Sequence, residues 1–260
     1  MDLCEAELTK PVSRHPWELA RLRFVLNCFR QNLPAGNGRK ILDVGCGDCF
    51  VLAHLAKAFP NDRFYGIDIE LTELMKQQIG ASLPSNVILL ASRIEEIESD
   101  KPFDAIMMLD VLEHIPDDNL FLTELQQKSV LRPGGLLLMT VPAWPCLFSR
   151  HDLNLKHYRR YRRRTLKAQL QRYNLKIVRS SYFFTSLMFI CLFSRILLQN
   201  RQQPGIQLWR GGHHFTRMLS RALYTDARVI YWLSRFHLHF PGLSCLMICR
   251  KGIGLPRRKE

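Results

Sequence analysis

The chain has 260 residues, 47% of them hydrophobic, and a formal net charge of +14. That length and apolar content support one domain with a sizeable core and a substantial extension, and they exclude a disordered protein. The charge is unevenly placed: residues 1–142 hold 14 Lys/Arg against 20 Asp/Glu, and residues 143–260 hold 23 against 3. The acidic half suits a small cationic ligand; the basic half suits an anionic partner such as lipid head groups, nucleic acid or a phosphorylated substrate.

Met1 to Lys10 carries three acidic residues and no apolar run, so a secretory signal is not expected. The eight cysteines lack a framework spacing and read as reduced thiols of a cytoplasmic protein. In Pro16–Asn32 the apolar residues Trp17, Leu19, Leu22, Val25, Leu26 and Phe29 have the spacing of an amphipathic helix, with Pro16 in its first turn. Pro34-Ala-Gly-Asn-Gly38 then breaks the chain. From Lys40, strands are expected at 40–45, 63–68, 87–91, 103–109 and 135–141, with helices at 49–58, 71–80 and 118–130. Short strands alternating with helices imply an α/β fold, a doubly wound parallel sheet covered on both faces.

After Pro142 the pattern changes. Residues 143–164 read as a loop rich in His, Tyr and Arg, 165–173 as a helix, Leu175–Tyr182 as a strand and Ser244–Lys251 as the last strand. Residues 183–198 are apolar but only 16 long and include Arg195, short of the roughly 20 residues a membrane span needs, so a buried or interfacial helix fits better. In 213–239, Arg217, Arg221, Arg228 and Arg235 share one helical stripe opposite Leu219, Leu223, Ile230 and Leu233, interrupted by Asp226. That pattern fits either an interfacial membrane helix or a cap over a substrate pocket.

The sharpest motif is Ile41-Leu-Asp-Val-Gly-Cys-Gly-Asp-Cys-Phe50, a strand running into a glycine turn and then a helix. Gly45 permits the turn and Gly47 allows close approach of a ligand. Asp68, at the end of the next strand, can accept hydrogen bonds from both ribose hydroxyls of a nucleoside. A dinucleotide fingerprint would need glycine where Phe50 stands, and Asp43 and Asp48 would repel a pyrophosphate. A sulfonium cofactor with a free amino group would favour those carboxylates, so S-adenosylmethionine (SAM) is preferred over NAD.

Asp43-Val-Gly-Cys-Gly47 with an acidic second-strand end, Phe103-Asp-Ala-Ile-Met-Met-Leu-Asp-Val-Leu-Glu-His-Ile-Pro-Asp117, and Leu131-Arg-Pro-Gly-Gly-Leu-Leu-Leu-Met-Thr-Val-Pro142 together resemble the ordered motifs of class I SAM-dependent methyltransferases. The resemblance covers residues 15–180 and implies a Rossmann-like, seven-stranded sheet with an apolar, basic helical C-terminal insertion. His15-Pro-Trp-Glu18, His151-Asp152 and His157-Tyr-Arg-Arg-Tyr161 further resemble a bacterial subgroup. The resemblance implies that Asp43, Gly45, Cys46 and Gly47 line the methionine part of SAM, that Asp68 holds the ribose, and that Ile69 packs on the adenine. Ser92, Arg93 and Ile94 would sit by the adenine edge, and Leu109 and Asp110 would close the floor. Cys49 stands where many members have glycine, and Ser92 where many have an acidic residue; both departures bear on cofactor affinity.

His114 and His157 are the candidate catalytic bases, since imidazole titrates near neutrality; His114 could instead cap a helix or shape the substrate site. Trp17, His151, Tyr158, Arg159 and Arg160 are the candidate acceptor contacts, the arginines for their match to phosphate or carboxylate; the alternative is a solvated basic loop. Glu113 and His114 could bind a metal, but the sequence offers no clear third ligand and no metal is expected. Cys46 and Cys49 form a C-x-x-C without a second pair at zinc spacing and read as structural thiols. The expected organisation is a capping helix at 1–38, a SAM-binding core at 39–182 and a helical extension at 183–260. The expected function is methylation of a small-molecule or lipid-linked, anionic or amphiphilic acceptor by a protein peripheral to the inner membrane face. An RNA or tRNA methyltransferase and a non-catalytic SAM-fold adaptor are the alternatives.

Overall fold

The computed structural model describes residues 14–90, 94, 97, 102–197, 209 and 211–253. Its centre is a seven-stranded sheet in the order β3-β2-β1-β4-β5-β7-β6. The strands are β1 (Lys40–Val44), β2 (Arg63–Ile67), β3 (Val87–Leu90), β4 (Phe103–Leu109), β5 (Leu131–Pro142), β6 (Leu175–Phe183) and β7 (Ser244–Lys251). The first five pair in parallel, and β7 lies antiparallel between β5 and β6. The inner strands read as continuous apolar runs because helices cover both faces. Ile41, Leu42, Ile106, Met107, Met108 and Leu136 through Met139 are all 0% exposed.

One face is covered by α1 (Pro16–Asn32), α2 (Phe50–Ala58) and α8 (His213–Leu233), whose Phe24, Phe29, Leu52, Leu55, Leu223 and Ala227 share one core cluster. The other face is covered by α4 (Asp118–Gln127) and α6 (Arg163–Arg172), through Phe121, Leu122, Leu125, Leu166 and Leu170. Two shorter helices are α3 (Glu73–Gly80), whose Ile79 joins the first of these clusters, and α5 (Arg150–Asn154); α7 (Thr185–Leu197) follows β6.

Several boundaries differ from those read in the sequence, for local reasons. Helix α3 begins at Glu73, not 71, because the Thr72 hydroxyl accepts from the Met75 amide at 3.3 Å and caps it. Strand β5 begins at Leu131 rather than 135: Leu131 pairs with Phe103, the register slips, and pairing resumes at Leu136 past Gly134, which sits at φ +73°. The expected 143–164 loop contains α5, started by Asp152, whose carboxylate accepts from the Ser149 amide at 2.8 Å.

The C-terminal helices lie between β6 and β7. The Leu223 and Ile230 face of α8 is buried against the protein, at 5% and 7% exposure, and Tyr231 meets Phe24 edge-on at 5.6 Å. This face is therefore a cap and not a lipid-facing one. Asp226, the charge that interrupted the pattern, accepts from the amides of Thr185 and Ser186 at 2.9 and 3.2 Å and so caps the start of α7. Among the described residues no helix is long and apolar enough to cross a membrane.

Candidate active site

Between β1 and β4 the strand order reverses, and open α/β sheets form their ligand crevice at the carboxyl ends of such strands. The turn after β1 is built for that position. Gly45 and Gly47 have φ of +70° and +51°, and a Cβ on Gly45 would lie 2.6 Å from Val111 Cγ2. Glycine at 45 thus lets the turn pass directly against the end of β4. Cys49 has φ 59° at the start of α2, a left-handed conformation glycine would adopt without strain. That is the physical meaning of the Cys49 departure. Cys46 and Cys49 are free and buried, with sulfurs 3.7 Å apart. Their mutual hydrogen bond and burial push the Cys46 thiol far up, so it stays protonated and inert at neutral pH.

Asp68 is held rigidly. Its Oδ2 accepts from the Gly47 amide and its Oδ1 from the Glu70 amide, each at 2.9 Å. A carboxylate has about four lone-pair sites, so each oxygen keeps one acceptor position. Beside it, the Ile69 side chain is 77% exposed. Asp43 is 3% exposed; burial, then the Asp68 charge, push its carboxyl well above the usual range, with Arg21 pulling the other way.

Two other carboxylates of the acidic half carry arginine partners from the N-terminal side. Arg14 pairs with Asp48 at 2.6 Å and lies 4.1 Å over the Phe50 ring. Arg21 pairs with Asp110, whose other oxygen accepts from the Thr140 hydroxyl at 2.9 Å, and its guanidinium lies 5.1 Å from the Trp17 ring centre. Arg14 and Arg21 did not figure among the sequence candidates. Their signal was the spacing of Arg14, just before α1, with Trp17, Glu18 and Arg21 in its first turns.

Of the remaining cofactor candidates, Leu109, the last residue of β4, is buried at 9% exposure in the core cluster that holds Ile41 and Leu52. Ile94 is 5% exposed and belongs to the core cluster that holds Leu42 and Ile67. Ser92 and Arg93 lie outside the described residues.

The donor set fits SAM. Two residual acceptor positions on one carboxylate suit vicinal hydroxyls, an exposed Ile69 suits a flat base, and a buried carboxylate with a raised pKa suits a cationic amine. Phe50, under the Arg14 guanidinium, stands where a dinucleotide fold needs glycine.

Past β4, a 3-10 turn at Leu112–His114 carries Glu113 and His114 over the crevice edge. His157 comes from the segment after α5, and the two imidazoles meet at right angles with ring centres 4.6 Å apart. Ligand atoms of Glu113, His114 and His157 all lie within 4.8 Å of one another. His157 is the third donor that the sequence did not reveal. Its Nδ1 lies 3.2 Å from Asp152 Oδ1. Asp152 is 0% exposed; burial alone would raise its pKa, but hydrogen bonds from His157 and Arg160 carry it well below the usual range. The carboxylate therefore accepts and His157 Nδ1–H donates, so in the neutral imidazole the lone pair is on Nε2.

The His-Tyr-Arg-Arg-Tyr segment is the brace that holds this geometry. The Tyr158 amide donates to the Glu113 carbonyl at 2.8 Å, and the Tyr161 hydroxyl lies 3.1 Å from the Leu112 carbonyl and 3.0 Å from Asp118. Arg159 pairs with Asp118 at 3.2 Å and donates to the Pro116 carbonyl. Arg160 donates to Asp152 at 2.7 Å and to the Ala143 carbonyl at 3.3 Å. Arg160, its side chain 10% exposed, is held inward by Asp152, which corrects the expectation that it reaches an anionic acceptor; Arg159 pairs with Asp118 while its side chain stays 32% exposed. Arg162, Arg164, His151 and Tyr158 are exposed, the last at 57%, and Trp17 is half-buried.

Residues 18–180 match a family model described as a methyltransferase domain. A ubiquinone biosynthesis O-methyltransferase of Rickettsia prowazekii is 25% identical over 126 residues, 46% of this chain and 46% of that protein. The chain thus spans about half the length of the curated relatives it matches. Among solved structures, the phosphoethanolamine N-methyltransferase 2 of Haemonchus contortus superposes with a TM-score of 0.56 at 15% identity, over 88% of this chain and 52% of that one. The [4+2]-cyclase SpnF superposes with a TM-score of 0.57 at 16% identity, over 95% and 86%. At such identities the structural likeness establishes the fold alone.

Proposed function

Because this chain belongs to the methyltransferase-domain family, the class I SAM-dependent fold, we propose that it binds SAM at the β1–β4 switch point and methylates a protic oxygen or nitrogen of an amphiphilic, small-molecule or lipid-linked acceptor. When bound, SAM supplies a methyl carbon made electrophilic by its sulfonium. Asp68 takes the ribose hydroxyls on its two residual acceptor positions, Ile69 covers the adenine, and Asp43 receives the amino group. Gly45 and Gly47 let the backbone close on the ligand. The chain's remaining task is to align the acceptor and remove its proton, and alignment accounts for much of the rate in such displacements.

The observation that carries the reading is the imidazole cluster at the same sheet edge as the cofactor turn, with His157 fixed in one tautomer by buried Asp152. A base oriented by a third group is what a protic acceptor requires. Trp17, half-buried beside Arg21, and exposed Tyr158 bound the opening. The acceptor class is supported by the outer surface. Phe189, Ile190 and Phe193 on α7 are 57%, 61% and 64% exposed, and Arg217, Arg221 and Arg228 on α8 are exposed too. Apolar side chains beside arginines suit contact with an anionic membrane surface. Arg160, held by buried Asp152, is unavailable to phosphates, which weighs against RNA. The names of the Rickettsia relative and the Haemonchus neighbour give oxygen and nitrogen acceptors respectively, consistent with either atom here.

The test uses labelled SAM with membrane lipid extract, RNA or soluble extract as acceptor. Label enters the lipid fraction, and His157→Ala lowers its rate about 10²–10⁴-fold with SAM affinity unchanged. Label in RNA alone would replace the acceptor class. SAM binding without turnover on any extract would sink the enzyme reading in favour of an adaptor.

A further inference from the structure

We propose that Glu113, His114 and His157 form a binding site for a divalent transition-metal ion at the mouth of the crevice. Ligand atoms of all three lie within 4.8 Å of one another. Bonds of about 2.0–2.1 Å in a tetrahedral set put donors about 3.3 Å apart, so side-chain rotations that draw the donors in by at most about 1.5 Å complete the site.

Three further features distinguish this cluster from a chance meeting of polar groups. A lone general base needs one imidazole, whereas here two meet at right angles with centres 4.6 Å apart, and two imidazolium ions at that distance would repel. A shared cation uses a lone pair from each. Glu113 is 0% exposed, so its carboxylate meets the imidazole pair away from bulk water, where its attraction for a divalent ion is little screened. Finally, His157 has the outer support typical of a ligating histidine: its Nδ1 faces Asp152 at 3.2 Å, and Arg160 holds the same Asp152 oxygen at 2.7 Å. The Tyr158 amide on the Glu113 carbonyl, at 2.8 Å, ties the 3-10 turn carrying two donors to the segment carrying the third.

Two imidazoles and one carboxylate make a donor set for Zn²⁺, Co²⁺, Fe²⁺ or Mn²⁺ rather than Mg²⁺ or Ca²⁺, which favour all-oxygen ligands. Three protein donors leave a coordination position open. Given the methyl transfer proposed above, that position would take the acceptor oxygen, and the cation rather than a free imidazole would acidify it.

The experiment uses the full chain, stripped with chelator, without SAM or acceptor. Co²⁺ is titrated and followed by its visible absorption, and Zn²⁺ is then added in competition. The expected result is one saturable Co²⁺ equivalent, displaced by Zn²⁺. It is lost in His114→Ala and His157→Ala and weakened about 10–100-fold in Asp152→Asn. Circular dichroism and SAM calorimetry on each variant check the fold; His114 is part-exposed, so its truncation spares the core. Absence of saturable binding by folded wild-type protein overturns the proposal, as does binding that survives in the folded His114→Ala protein. The two readings fail separately. SAM binding and His157-dependent turnover without Co²⁺ binding remove the metal and leave the base. Co²⁺ binding without SAM binding leaves the metal and removes the methyl transfer.

Discussion

Replacing Asp68 with alanine removes the group on which cofactor affinity turns. In the folded protein each Asp68 oxygen already accepts one backbone amide, from Gly47 and Glu70, both at 2.9 Å. The two positions left are those available to a pair of ribose hydroxyls. Hydrogen bonds to a charged partner contribute about 1.5–3 kcal/mol each, so losing both costs about 3–6 kcal/mol, or at least about 150-fold in Kd. Asn is no rescue, because its amide NH₂ would face either the Gly47 or the Glu70 N–H, donor against donor. Both variants are titrated with SAM by calorimetry beside wild type, with thermal unfolding to confirm the fold. A folded Asp68→Ala protein that binds SAM within about 5-fold of wild type would refute the assignment of Asp68 to the ribose.

Asp43 predicts a proton count. Its carboxyl titrates well above the usual range in the free protein, so it holds a proton there that an amine-bearing ligand expels by favouring the carboxylate. Between the ordinary carboxylate range and that raised value, the complex binds fewer protons than the free protein. SAM affinity should rise with pH through that window, and calorimetry in two buffers of different ionisation enthalpy should report proton release; identical heats would refute it. Gly45→Ala places a Cβ 2.6 Å from Val111 Cγ2 at φ +70°. The left-handed backbone alone costs about 1–2 kcal/mol, a Tm loss of about 2–8 °C. Adding Val111→Ala should recover only the steric part of the total loss, and full recovery would show that backbone strain contributes nothing.

The sheet was legible because its inner strands are buried on both faces, so Ile41-Leu-Asp-Val44 and Ala105-Ile-Met-Met108 announce themselves as apolar runs between turns. The cofactor turn was legible because glycine spacing and carboxylate placement are local. The acceptor side was less so. His114 and His157 lie far apart in the chain and meet only because Tyr158 and Tyr161 dock on the end of β4. Charge could be counted at Arg159 and Arg160, but not its direction, and inward partners Asp118 and Asp152 decide it. In α8 the periodicity identified the apolar face correctly, but only the packing of Leu223 and Ile230 settles what that face meets.

The position of β7 has a consequence for the order in which the molecule can assemble during synthesis. Strands β5 and β6 do not pair with each other; each pairs with β7. A ribosome finishes β5 at Pro142 and β7 only at Lys251, and at 5–20 residues per second the interval is roughly 5–20 s. For that time the edge of β5, with Leu137, Met139 and Val141, waits without its neighbour. The nascent chain therefore carries a half-finished, adhesive sheet edge, the kind of surface that chaperones protect, until its final strand slides in and closes it.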